Sequence, residues 1–262
     1  MSLLWVAIVL GIVEGLTEFL PVSSTGHLIL AERALRFTGA RADLFAVFIQ
    51  LGAILAVVWE YRGRLLAAVT GLSSRPEARR FAGAVAIAFF PAAALGFLIH
   101  EWIESALFSP RTVAFALLAG AVAILVVEAL PLRPRTEDAE AISRGQALAV
   151  GLAQCVALWP GFSRSAATIL GGLSAGLSRR AATEFSFFLA VPVMTAASLF
   201  SLRKHRHDLH PGDGLALALA FILSFLVAWA SIRWLLRYVA THRFRPFAWY
   251  RIALALLVLW VF

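Results

Sequence analysis

The chain has 262 residues, of which 61% are hydrophobic and 15% are charged, and its mean hydropathy is +0.85. This composition excludes an ordinary soluble domain, and apolar runs of roughly 17 to 25 residues are long enough to cross a bilayer as helices. The net charge of +8 does not point to a nucleic-acid partner, because the arginines lie in short loops between apolar runs, as in membrane proteins. The composition therefore predicts an all-α polytopic membrane protein.

Ten apolar segments follow one another along the chain. In the first half, we expect two short helices and then three longer ones, at Leu3–Leu20, Ser23–Phe37, Leu44–Tyr61, Phe81–Trp102 and Val113–Leu130. Arg62–Arg80 is interpreted as a basic loop, and the polar, proline-containing segment Pro131–Arg144 as a linker between halves. In the second half, we expect the same order of short and longer helices, at Gly145–Leu158, Phe162–Gly176, Ala182–Leu202, Leu215–Leu236 and Phe247–Phe262.

The two halves resemble each other. A shift of 140 residues without a gap aligns Gln154 with Glu14 and Ser163 with Ser23. Identities are few, so chance similarity between apolar helices is the alternative, although polar positions coincide as well. Each half also opens with a short helix pair interrupted by proline, and corresponding broken helices in two halves are typical of a binding site between inverted repeats.

We therefore expect one membrane domain made of two inverted-topology repeats, residues 1–130 and 141–262. It would contain about six full transmembrane helices and two re-entrant helix pairs, and three crossings per half would orient the halves oppositely. This arrangement places nearly twice as many lysines and arginines on the side of Arg62–Arg80 and Pro131–Arg144 as on the side of the loop Ser201–Gly212. The richer side should be cytoplasmic.

The first polar cluster lies at the junction of the first two short helices. Glu14 and Glu18 are four residues apart and therefore share one helix face, and Pro21 ends that helix. The next helix begins with residues that suit an anion-binding N-terminus, together with an imidazole in the first turn: Ser23, Ser24, Thr25, Gly26 and His27. Ionisable residues within a membrane are costly, so this cluster predicts a functional site for an anion.

The second polar cluster is the stretch PGFSRSAAT, which begins at Pro160. Arg164 lies there between Ser163 and Ser165 at the start of a helix, with Thr168 one turn further on. A guanidinium can bind two phosphate oxygens, and the hydroxyls and helix N-terminal amides add donors at the same place. The alternative is a structural ion pair between Arg164 and Glu14 or Glu18.

The stretches EGLTEFLPVSSTGH and PGFSRSAAT resemble the motifs of the undecaprenyl-diphosphatase family of bacteria, integral-membrane phosphatases also known for bacitracin resistance. Glu14 and Glu18 match the first motif, Glu/Gln-x-x-x-Glu, and Ser24 and His27 fall where the family has its functional serine and histidine. The second motif, PGxSRSxxT, is matched in full by Pro160, Gly161, Ser163, Arg164, Ser165 and Thr168. The similarity extends over the whole chain in length and helix pattern.

The resemblance implies hydrolysis of the lipid undecaprenyl diphosphate to the monophosphate, which recycles the cell-wall lipid carrier, in the bacterial inner membrane. Two carboxylates would repel a diphosphate, so Glu14 and Glu18 are expected to bind a divalent cation, Mg²⁺ or Ca²⁺, or one of them acts as a base. For the nucleophile, the sequence leaves three alternatives: Ser24 deprotonated by His27, His27 itself, or an activated water.

Two other functions compete with the phosphatase. A transporter or flippase for a lipid phosphate or another anion would use the same inverted repeats, Arg164 and the helix N-termini, but it would not need Glu14, Glu18 and His27 together. A purely structural membrane subunit would leave all these costly polar residues unexplained. The expected partners are the lipid substrate and the bilayer, and the sequence leaves a homodimer open.

Overall fold

The structure is a computed structural model that describes residues 2–205, 207, 210 and 212–262. Parts of the loop Ser201–Gly212, for which an outside location was predicted, therefore lie outside the described residues. The described part of the chain contains no β-strand, and Thr136 and Leu177 form an isolated bridge. The predicted all-α class is confirmed.

Twelve α-helices are present in the described residues. The first seven are α1 Leu3–Thr17, α2 Ser24–Leu35, α3 Ala40–Glu60, α4 Arg62–Thr70, α5 Pro76–Leu98, α6 His100–Leu107 and α7 Pro110–Ala129. The other five are α8 Arg144–Cys155, α9 Arg164–Ser174, α10 Arg179–His205, α11 Gly214–Val239 and α12 Arg245–Val261. Ten of these correspond to the ten predicted segments. Short 3₁₀ turns lie at Ala139–Ala141 and Val156–Leu158.

Within the described residues, five helices are long and apolar enough to cross a membrane, namely α3, α5, α7, α10 and α11. The sixth predicted crossing corresponds to α12, which has 17 residues and carries Arg251 in its interior. The chain is thus a polytopic membrane protein, while the total of six crossings stays a prediction.

The basic segment Arg62–Arg80 is not simply a loop, since its first part forms α4 and its last part begins α5. Charge pairs hold α4 against the molecule: Arg64 donates from Nη1 to Glu184 Oε2 of α10 at 2.8 Å, and it also pairs with Glu140. Leu65 packs against the hydrophobic core. This helix was missed because contacts with distant acidic residues stabilise it, and these do not appear in local hydropathy.

The predicted helix Phe81–Trp102 is in fact two helices. α5 ends at Leu98, and α6 begins at His100 and directs Ile103 into the protein, where it is 8% exposed. α6 has apolar side chains on one face and charged side chains on the other. A search for long apolar runs therefore does not separate α6 from the preceding helix.

Each short opening helix packs against a long helix of the other half. A Cβ on Gly11 of α1 would lie 2.7 Å from the Ala220 carbonyl oxygen of α11, and one on Gly151 of α8 would lie 2.6 Å from the Ala88 carbonyl oxygen of α5. Only glycine allows the backbones to approach so closely, as is common between membrane helices. The two halves are therefore interlocked.

An aromatic cluster supports the turn that follows α1. Phe19 is fully buried and meets Phe187 of α10 edge-on, with ring centroids 5.4 Å apart. The guanidinium carbon of Arg164 lies 5.6 Å from the Phe19 ring centroid, within the range of a cation–π contact. The turn after α1 is thereby fixed next to the start of α9.

Candidate active site

The two proline-containing turns have the same unusual backbone geometry. Ser23, before α2, has φ 71°, and Ser163, before α9, has φ 78°. Each hydroxyl oxygen caps its helix, because Ser23 Oγ accepts from the Gly26 amide at 3.4 Å and Ser163 Oγ accepts from the Ala166 amide at 3.2 Å. A positive φ is uncommon for serine, and such strain is concentrated at functional sites. The internal repeat stays a prediction, and these two aligned serines are alike in conformation and in role.

Three predicted site residues from the two halves of the chain meet directly. Ser24 Oγ donates to Glu18 Oε2 at 2.6 Å, and Arg164 Nη2 donates to Glu18 Oε1 at 3.1 Å. Glu18 is 9% exposed, so its charge is held by these two donors rather than by bulk water. This geometry gives Glu18 the position of a base for the Ser24 hydroxyl and gives Arg164 the position of its orienting partner.

The other side of the Arg164 guanidinium is held by α10. Nη1 donates to the main-chain oxygen of Ser186 at 3.0 Å, and Thr168 Oγ1 lies 2.7 Å from Ser186 Oγ. The sequence did not single out Ser186, since it is one small polar residue in a long apolar helix. The expected alternative of an ion pair with a glutamate is realised with Glu18, but the guanidinium also bridges to α10.

The hydroxyls of the second cluster tie the two turns together. Ser165 Oγ donates to the main-chain oxygen of Leu20 at 2.9 Å, and Ser163 Oγ lies 3.0 Å from Ser165 Oγ. In the first turn of α2, Thr25 is half-buried and Gly26 is buried. Ser165 therefore joins the start of α9 to the turn after α1.

His27 is directed away from Ser24. Its Nδ1 lies 2.7 Å from the main-chain oxygen of Ser23, and its Nε2 lies 2.7 Å from the hydroxyl of Tyr250 on α12. Because a carbonyl can only accept, Nδ1 carries the proton in the neutral ring and Nε2 accepts from Tyr250. This geometry does not support the expected deprotonation of Ser24 by His27. The group that accepts a hydrogen bond from the Ser24 hydroxyl is the Glu18 carboxylate.

Glu14 is buried one turn before Glu18. It is 2% exposed, and its Oε2 atom is buried with no hydrogen-bond partner in the described part of the chain. Its carboxyl group interacts with the charges of Glu18 and Arg164. The described residues contain no group of three or more His, Cys, Asp or Glu side chains that could hold a metal ion. An orphaned carboxylate oxygen next to a second carboxylate fits Mg²⁺, which is commonly bound through one or two carboxylates and completed by substrate phosphates and water.

Arg251, at the centre of α12, connects both turns, and the sequence reasoning missed it. Its side chain is fully buried and donates to main-chain oxygens of Pro21 at 3.3 Å, Gly161 at 3.1 Å and Phe162 at 2.8 Å. Further bonds reach α7, where Nε donates to the Leu117 oxygen. A lone charge inside the last apolar run was the available signal, because such residues in membrane helices are functional candidates by default.

A large cavity leads to this junction. It has a volume of about 1000 Å³ and lies between α5, α6, α10 and the end of α8. Most of its lining is apolar, and Arg164 and Gln154 both line it. Ligand pockets in proteins commonly have this character, with a few polar groups in a mostly apolar wall.

Comparison with known proteins identifies the family of this chain. Residues 7–257 match the model of the family described as bacitracin resistance protein BacA. The chain is 55% identical over 264 residues to undecaprenyl-diphosphatase 1 of Paraburkholderia xenovorans, covering 97% of this chain and 94% of that protein. It is 52% identical to the undecaprenyl-diphosphatase of Nitrosospira multiformis, covering 98% and 94%, and 50% identical to that of Cupriavidus necator, covering 97% and 93%. The chain belongs to the bacitracin resistance protein BacA family.

Proposed function

We propose that this chain hydrolyses undecaprenyl diphosphate to undecaprenyl phosphate and inorganic phosphate in the bacterial inner membrane, and so recycles the lipid carrier of cell-wall synthesis. The names of its relatives support this substrate. The observation that carries the proposal is the contact of Ser24, Glu18 and Arg164, which joins a hydroxyl nucleophile, a carboxylate base and a phosphate-binding cation.

In the proposed reaction, Ser24 Oγ attacks the terminal phosphorus and its proton passes to Glu18 Oε2, which already accepts that hydrogen bond. The bond between phosphorus and the bridging oxygen breaks, undecaprenyl phosphate leaves, and water then hydrolyses the phosphoserine to release phosphate. Arg164 and the N-terminal amides of α2 and α9 stabilise the charge on the transferring oxygens. In the alternative, Glu18 deprotonates a water that attacks directly.

The carboxylates of Glu14 and Glu18 would hold a divalent cation, Mg²⁺ or Ca²⁺. When bound, this ion would offset the repulsion between the carboxylates and the diphosphate and polarise the phosphoryl oxygens. His27 holds the Ser23 carbonyl and thereby the turn that carries Ser24.

The direct test measures phosphate release from undecaprenyl diphosphate by purified protein, with and without excess chelator. Glu18→Gln keeps the size of the side chain but removes the base, so its kcat should fall by about 10²- to 10⁴-fold. Ser73→Ala, in the exposed segment between α4 and α5, is the matched control and should retain full activity. No phosphate release by the wild type would refute the function.

The nucleophile is identified by stopping a single turnover with acid, using substrate labelled at the terminal phosphate. A serine nucleophile leaves label on the protein, and Ser24→Ala abolishes that label. If the wild type turns over without any labelled protein, water is the nucleophile and Ser24 only orients it.

A transporter of the same lipid phosphate is less well supported. A transporter would need the positive charge of Arg164 and helix N-termini at the midplane of the membrane. It would not need a hydroxyl placed 2.6 Å from a buried carboxylate. That bond is the observation that favours hydrolysis.

A further inference from the structure

The cavity between α5 and α10 has an apolar wall and a polar inner end. Both flanking helices contain an internal proline, Pro91 in α5 and Pro192 in α10, and the cavity lining includes the residues directly after them, Ala92 and Val193. A proline inside a helix removes a main-chain hydrogen bond and bends the helix, which suits the boundary of a cavity.

Gln154 has no hydrogen-bond partner among the residues that the structure describes. It is 2% exposed and lines the cavity, and within that part of the chain neither Oε1 nor Nε2 forms a hydrogen bond. By contrast, Gln146 on the same helix binds Ser143, Thr136 and the Ala175 carbonyl. Buried polar groups in native proteins almost always have a partner, so the partner of Gln154 is a molecule outside this chain.

The neighbouring groups indicate the chemistry of that molecule. Arg164 lines the same cavity, and its Nε is likewise buried with no hydrogen-bond partner from any described residue. N–H donors on an amide and a guanidinium call for anionic acceptor oxygens, while the remainder of the cavity, which is apolar apart from His100 and Glu101 of α6, calls for an apolar chain. A prenyl diphosphate joins these two features at the phosphate that carries the prenyl chain.

We propose that this cavity receives the first isoprene units of the substrate, and that Gln154 donates a hydrogen bond to the phosphate that carries the chain. This proposal rests on the proposed function. That phosphate is the leaving group, and its non-bridging oxygens are anionic before, during and after cleavage, so a hydrogen bond from Gln154 to one of them is made in the ground state as well as in the transition state. Its loss should therefore raise KM more than it lowers kcat.

Gln154→Met tests the amide, because methionine has a similar length and no hydrogen-bonding amide. The melting temperature should be unchanged or higher, since an unpartnered polar group is removed. The kcat/KM for undecaprenyl diphosphate should fall by about 10- to 100-fold, which is the typical loss of a hydrogen bond to a charged group.

Gln146→Met is the matched control on the same helix. It breaks hydrogen bonds within the protein, so its melting temperature should fall while kcat/KM of the folded enzyme stays at the wild-type value. An unchanged kcat/KM in Gln154→Met would mean that water alone satisfies this amide and would overturn the proposal. The proposal would also be overturned if Gln154→Met lowered the melting temperature as much as Gln146→Met does.

The apolar part of the cavity is tested with geranyl, farnesyl and undecaprenyl diphosphates. Wild-type kcat/KM should rise with chain length until the cavity is filled. Ala197→Phe adds bulk to the lining and should reduce the advantage of the longer chains, whereas Leu199→Phe, an exposed position of the same helix outside the lining, should not.

The outcomes separate this proposal from the proposed function. If the wild type releases phosphate but Ala197→Phe keeps the wild-type chain-length profile, membrane lipid rather than substrate occupies the cavity and only the present proposal fails. If the wild type releases no phosphate from any of the three substrates, the proposed function fails as well.

Discussion

Replacing Arg164 by lysine separates the charge of this residue from its shape. The guanidinium reaches Glu18 through Nη2 at 3.1 Å and the Ser186 main-chain oxygen through Nη1 at 3.0 Å. An ammonium on a flexible stem keeps the charge but cannot provide two fixed donors in these two directions. If the fork orients Glu18 and binds the transferring phosphoryl group, Arg164→Lys should lose roughly 3 to 4 kcal/mol of transition-state stabilisation, about 10² to 10³ in kcat.

Arg164→Ala should show a second effect, on stability. Glu18 would remain at 9% exposure without its cation, and removing one member of a buried ion pair typically costs about 3 to 5 kcal/mol. The alanine variant should therefore have both a lower kcat and a lower melting temperature than the wild type. The lysine variant should differ mainly in kcat.

The assay combines kcat and KM for undecaprenyl diphosphate with melting temperatures in detergent. Arg179→Lys is a suitable control, because Arg179 also binds a buried glutamate, Glu128, but lies outside the site. This control should keep its kcat. A nearly fully active Arg164→Lys would refute the reasoning and would show that Arg164 only neutralises Glu18.

Three further predictions concern the metal, the buried arginine and the topology. Activity should require a divalent cation, and Glu14→Gln should lose most of it while remaining folded; full turnover of the wild type in excess chelator would contradict this. Arg251→Met leaves several buried carbonyls without donors, so its free energy of unfolding should fall by about 3 kcal/mol or more, with partial recovery in Arg251→Lys; equal melting temperatures would argue against a structural role. On a Cys155→Ser background, a membrane-impermeant thiol reagent applied from outside should label Gly212→Cys and not Ser74→Cys, and the reverse pattern would invert the predicted topology.

Most of the fold could be predicted because a bilayer restricts what a sequence can form. Apolar runs of membrane length had to be helices, and the costly polar residues within them had to meet partners. On that basis Glu18, Ser24 and Arg164 were expected at one site, and the structure brings them into direct contact.

The rest of the fold and of the site depends on contacts between segments that are far apart in the chain. No local sequence pattern specifies these contacts. His27 is adjacent to Ser24 on one helix, yet its imidazole binds Tyr250, more than 220 residues away in the chain. Ser186 is one hydroxyl among many in apolar helices, and only its distance from Arg164 makes it distinctive. The helix at Arg62–Thr70 likewise forms because Arg64 meets acidic residues from a later part of the chain.

The interlocked packing of the two halves has a consequence for biosynthesis. The glycine face of α1 fits against α11, and the arginine that joins both turns lies in α12, so the N-terminal part of the site needs segments that the ribosome makes last. At a synthesis rate of about 5 to 20 residues per second, α1 spends roughly ten seconds or more in the membrane before its docking surface exists. During that interval, Glu14 and Glu18 need other partners, such as water or the insertion machinery. A nascent chain stalled before α11 should hold a complete first motif without a formed site.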